Sequence, residues 1–200
     1  MYNVMGGGDQ GNLTTPAKNL FLTGPMGCGK STCIARALGE HLPKAGGFLT
    51  VRQRDDAGRP TAFWLCSADG EEQRKIIDCD GYTMYPEVFH SFGTALLESA
   101  KEHPFVVLDE IGGFEVLSEP FMKALYCLLK SDVPCIGVLK GPGPASRMME
   151  KLGLGEACGE KTQALRDWMC REEHTLLYEC GQFDPMAQHL AEQWVRRYVE

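Results

Sequence analysis

No stretch of this sequence approaches the ~18 apolar residues of a membrane-spanning helix, and no apolar run of signal-peptide length opens it. Nine cysteines are present, an odd number, yet none is spaced Cys-x-x-Cys, so no zinc pattern is offered. The expectation is a reducing cytoplasm with free thiols, the cysteines serving as small buried apolar side chains. A basic excess is missing too. Lys and Arg number 20 against 27 Asp and Glu, a net charge of −7. That balance argues against duplex DNA or RNA as a partner. A polyanionic nucleotide stays open if backbone donors, a few placed cations and a metal ion take the place of a broad basic face.

What is present divides simply. Residues 1–18 are rich in Gly, Asn and Thr, include Gly6-Gly7-Gly8 and lack periodicity, so a flexible N-terminal arm is expected. No internal repeat follows, and residues 19–200 fit one domain. Short apolar runs at Asn19–Gly24, Phe105–Asp109, Cys135–Leu139 and His174–Cys180 predict strands, the first three buried. Phe48–Arg54 and Arg59–Ala68 flank Asp55-Asp56-Ala57-Gly58 and predict a hairpin, with Lys75–Cys79 as a further short strand. Helices are predicted from Gly29 to about His41, from Pro86 to the stop at Pro104, after a Ser118 cap, and after Asp184-Pro185. Residues 145–172 are helical in tendency, and 141–172 reads as a lid or insertion. The order is α/β, a mainly parallel sheet flanked by helices with an added antiparallel hairpin.

Gly24-Pro25-Met26-Gly27-Cys28-Gly29-Lys30-Ser31 fits G-x-x-x-x-G-K-[ST], the P-loop. Its glycines let the backbone curl until successive N–H groups point inward at phosphate oxygens. The helix that follows adds its N-terminal dipole. Lys30 supplies a point charge to the β- and γ-phosphates, Ser31 offers a hydroxyl to Mg²⁺, and Thr32 closes the phosphate-binding set. The motif sits where it must, between an apolar strand and a helix.

Asp109-Glu110 is the second element. A carboxylate at the end of a central strand can hold Mg²⁺, which makes Asp109 a metal candidate beside Ser31. Glu110 can then polarise an attacking water. Aspartate alone would suit a kinase or a switch equally, and it is the added glutamate that favours hydrolysis. Arg54, with Arg52 beside it, is the candidate for stabilising charge on the γ-phosphate, as are Arg147 and Arg166 from the later segment. Trp64, Phe63 and Tyr82 are aromatic candidates for base stacking, with core packing expected for at least two of them.

These residues together resemble the small nucleoside-triphosphatase family of the cancer-related type, over about residues 19–140. The markers are the P-loop, Gly46-Gly47-Phe48-Leu49-Thr50 with Arg54, and Phe105-Val-Val-Leu-Asp-Glu-Ile-Gly112 followed by Glu115. The resemblance implies a RecA-like sheet and Mg²⁺-dependent hydrolysis of several nucleoside triphosphates. The chain departs from the family pattern at Val51-Arg52-Gln53, where two acids are usual, and at Gly113, where a lysine is usual. Two other classes stay open from the residues alone: a small nucleotide or nucleoside kinase, with the Arg-bearing segment 145–172 as a lid, and a nucleotide-binding switch with little turnover.

Overall fold

The computed structural model describes residues 4–6, 17–141, 153–182 and 184–200. Its strands are β1 (Val4–Gly6), β2 (Asn19–Thr23), β3 (Gly46–Arg54), β4 (Pro60–Ser67), β5 (Gln73–Asp78), β6 (Thr83–Met84), β7 (Val106–Ile111), β8 (Cys135–Leu139) and β9 (Thr175–Glu179). They form one sheet in the order β1-β9-β2-β8-β7-β3-β4-β5-β6. The β1-to-β3 half is parallel throughout, and β3 to β6 pair antiparallel. The expected hairpin is thus the first turn of a longer antiparallel extension. Arg147 and Lys151, with the rest of 142–152, lie outside the described residues.

The parallel strands are buried because helices cover both faces. Alternate side chains of each strand go to opposite sides. Leu20, Leu22, Val107, Ile136, Val138, Leu176 and Tyr178 pack under α1 (Lys30–Leu38) and α6 (Pro185–Tyr198). Phe21, Val106, Leu108, Cys135, Leu139 and Leu177 pack under the helices of the other face. Those are the run α2 (Pro86–Val88), a π turn over Phe89–Gly93 and α3 (Thr94–Ser99), then α4 (Glu119–Lys130) and α5 (Gly155–Arg171).

Three local expectations change. The N-terminal arm is not without structure throughout: Val4–Gly6 adds an edge strand on β9, using main-chain groups that need no side-chain periodicity. Ser118 sits at the N-cap of α4, but its hydroxyl makes no capping bond. Pro120 holds the second helical position and has no N–H to donate to it. The strand expected to stop at Asp109 runs on to Ile111. All nine cysteines are free; five are buried, three half-buried, and Cys127 is exposed.

Candidate nucleotide site

The loop from Gly24 to Gly29 leaves β2 at the edge where β2, β8 and β9 end together. Gly24 lies at φ 131°, Gly27 at 81° and Gly29 at 96°. A side chain on Gly24 would begin 2.5 Å from the Cys180 carbonyl oxygen, so only glycine passes there. Helix α1 starts at Lys30 without a side-chain cap and without an acidic residue in its first turn. Its leading amides and dipole are left free for an anion. Pro25, Met26, Gly27, Ser31 and Thr32 are exposed, and Cys28, Gly29 and Lys30 are half-buried. The Lys30 ammonium folds back over the loop, donating to the carbonyls of Gly24 at 2.9 Å and Pro25 at 2.7 Å, with the Cys28 thiol at 3.4 Å.

Strand β8 lies between β2 and β7, so the two motifs stand on strands separated by an inserted one. They nevertheless meet. Ser31 Oγ donates to Asp109 Oδ1 at 2.7 Å. The reason lies in β7, whose register against β8 breaks between Leu108, opposite Gly137, and Ile111, opposite Leu139. Three steps on one strand match two on the other, which is a β-bulge. Leu108 and Ile111 consequently reach the same core cluster, although three apart. Asp109 and Glu110 both fall opposite Val138; the Asp109 carboxylate meets Ser31 at the start of α1, and the Glu110 carboxylate lies toward Arg52 of β3. Glu110 makes the turn at φ 61°, rare for a side chain of its size. Thr50 Oγ1 donates to the Asp109 carbonyl at 3.1 Å and holds the bulge from the β3 side.

Burial pushes the Asp109 carboxyl up to about 6; the Glu110 charge adds to the rise, while the Ser31 hydrogen bond and the Lys140 ammonium oppose it. A carboxylate held against its own preference in a half-buried place calls for a cation. Ser31 and Asp109 offer hard oxygen donors side by side. No group of three or more His, Cys, Asp or Glu in metal-binding reach exists among the described residues. A small donor set completed by phosphate oxygens and water is what Mg²⁺ accepts, so the residues present fit it.

The sequence candidates separate here. Arg54 donates to the Gly58 carbonyl at 2.6 Å, inside the hairpin turn. Arg52 is the arginine that meets Glu110, at 3.7 Å. Arg166 is half-buried and donates to Thr23 Oγ1, at the end of the P-loop strand, at 2.5 Å. Phe63 packs against the core, Trp64 bonds to Gln53 through its ring nitrogen, and Tyr82 stays exposed.

Several site neighbours escaped sequence reasoning. Lys140 follows β8 directly, and its ammonium lies 2.5 Å from where a side chain on Gly113 would start. Its position just past a buried strand was the available signal. Glu115, which the sequence offered only as a marker of the family resemblance and with no role, is buried and accepts from the amides of Gly112 and Gly113, bracing the turn behind Glu110. Thr162 donates to the Gly112 carbonyl at 3.1 Å, which ties α5 to the same turn.

Comparison with known proteins bears on the fold and the family. The human cancer-related nucleoside triphosphatase, known from its solution structure, superposes with a TM-score of 0.58 over 92% of this chain and 98% of its own, at 22% identity. At that identity the likeness speaks for the fold. Nucleoside-triphosphatase THEP1 of Methanocaldococcus jannaschii is 30% identical over 131 residues, 60% of this chain and 76% of the relative. Nucleoside-triphosphatase THEP1 of Thermofilum pendens is 32% identical over 134 residues, 62% and 74%. The cancer-related nucleoside-triphosphatase homolog of Mus musculus is 26% identical over 148 residues, 63% and 77%. The sequence profile of the NTPase family matches residues 19–158, which include the P-loop, the bulged strand and Lys140. On the fold, the site and this match, the chain belongs to the NTPase family.

Proposed function

We propose that the protein hydrolyses nucleoside triphosphates to the diphosphate and phosphate, with Mg²⁺ and with loose base selectivity. The observation that carries this reading is the β7 bulge, which sets the two acids side by side at the strand end, with the Ser31 hydroxyl against Asp109 and Arg52 beside Glu110. The amides from Gly27 to Thr32 and the Lys30 ammonium bind the phosphates. Ser31 and Asp109 hold the metal ion, which when bound supplies positive charge to the phosphate oxygens. Glu110 accepts a proton from water as the water oxygen bonds to the γ-phosphorus. The bond from that phosphorus to the β–γ bridging oxygen breaks, and the electron pair leaves with the diphosphate.

Loose selectivity rests on what the site offers: its donors belong to the P-loop and the start of α1, and Phe63 and Trp64 are engaged in the sheet. Turnover of purine and pyrimidine triphosphates should differ by less than about tenfold, or ~1.4 kcal/mol. The test is phosphate release from ATP, GTP, CTP and UTP with and without Mg²⁺. Phosphate release without an acceptor supports the proposal. Transfer to an added nucleoside or nucleotide would make the protein a kinase, and tight binding with neither would make it a switch.

A further inference from the structure

The hydrolytic reading leaves one question about Glu110. It stands at φ 61° in a bulge, and its side chain is about a quarter exposed. A carboxylate on such a flexible stem must be held if it is to meet a water at a fixed distance. Among the described residues, the cation within ion-pair reach of it is Arg52, at 3.7 Å from Oε1.

Arg52 is itself held. It sits directly across the β3–β4 pair from Phe63, and its guanidinium carbon lies 5.0 Å from the centre of the Phe63 ring. Phe63 in turn packs on the core cluster that contains Phe48 and Ile76. A chain of contacts thus runs from the core through a ring and a planar cation to the carboxylate. The separation is informative. At 3.7 Å the guanidinium attracts the carboxylate without spending its oxygens in a short hydrogen bond, so they remain available to water. The planar guanidinium can lie flat on the ring and still present an edge, which a lysine does less well.

We propose that Arg52 is a positioning residue for Glu110: with Phe63 behind it, it fixes the direction of the carboxylate that receives the proton from water. This rests on the reading of Glu110 as the base. It also separates the two arginines of β3, since Arg54 is committed to the hairpin turn.

The test compares single-turnover ATP hydrolysis and ATP affinity in wild type, Arg52→Gln, Arg52→Lys, Phe63→Leu, Glu110→Gln and the Arg52→Gln/Glu110→Gln double variant, all checked for unchanged melting. Arg52→Gln should slow hydrolysis by about 10–100-fold while affinity stays within about threefold. Arg52→Lys and Phe63→Leu, which keep the charge but loosen its seat, should fall between. The double variant should be no slower than Glu110→Gln alone, because a residue acting through Glu110 has nothing left to position. The proposal is overturned by wild-type hydrolysis in Arg52→Gln, by a matching loss of affinity, or by a full extra loss in the double variant. The two readings fail differently. Wild-type hydrolysis in Glu110→Gln removes the base and this proposal with it, whereas loss in Glu110→Gln with none in Arg52→Gln removes this proposal alone.

Discussion

Lys30 illustrates how much a single side chain carries here. It is the cation fixed by the loop spacing, and its ammonium already rests on the loop's own carbonyls. Those contacts are at the surface of the fold, so Lys30→Ala should leave the melting temperature near wild type and reduce nucleotide affinity below detection by calorimetry. Asp109 makes the opposite exchange between function and stability. Its pKa is raised in the folded state, so the ionised form costs stability. Below about pH 4 the carboxyl is neutral in both states and costs nothing, while above about 6 the full penalty is present, at most about 3 kcal/mol. Without metal or nucleotide, Asp109→Asn should therefore melt higher than wild type at pH 7, and the gain should vanish near pH 4; its Mg²⁺-dependent nucleotide binding should be lost. The turn of the P-loop between β2 and α1 was legible in the sequence because the letter spacing encodes the loop geometry. Arg52 and Arg54 were not separable, since residues two apart on a strand share a face and only the turn at Gly58 tells them apart.

Single elements show which local signals decide. Asp184 and Pro185 announce α6, and the cap forms as read: Asp184 accepts from Met186 N at 3.0 Å, and also from Gly181 N and the Tyr178 hydroxyl. Burial raises its pKa, but the hydrogen bonds outweigh it and the net shift is downward. Such a group stabilises above its unfolded pKa near 4 and loses that contribution as pH falls through its lower folded value. Asp184→Ala should lower stability by about 1–2 kcal/mol at pH 7, and the difference should shrink in urea titrations toward pH 2. The bulge in β7 resisted the same kind of reading, because Val-Val-Leu-Asp-Glu-Ile looks like an ordinary buried strand with an acidic end. The extra residue is visible only against the register of β8. Helix α5 was blurred for a related reason. Cys158, Thr162 and Arg166 form one stripe at a spacing of four, but polar residues in a stripe read as solvent-facing until Gly113, Gly112 and Thr23 are seen beneath them.

At the level of the whole molecule, two packed layers of helix hold one sheet, and the nucleotide loop is built where three parallel strands end together. A ligand bound there joins α1, β7 and the turn behind it, and it binds the folded chain alone. Mg-ATP at a hundredfold excess over its dissociation constant should add about 2.7 kcal/mol, or roughly 5–10 °C of melting temperature in a domain this size. Differential scanning fluorimetry should show this rise in wild type and none in Lys30→Ala. The order of the strands has another result. The P-loop strand, β2, is among the first to be made, yet its neighbours are β8 on one side and β9 on the other. On the ribosome, therefore, the sequence that names the binding loop emerges early, has no partner until β8 is made and lacks the second until synthesis has passed β9, while the antiparallel β3–β5 meander has its pairs at hand almost at once. Nascent chains arrested short of β9 should carry a formed meander and no capacity to retain nucleotide.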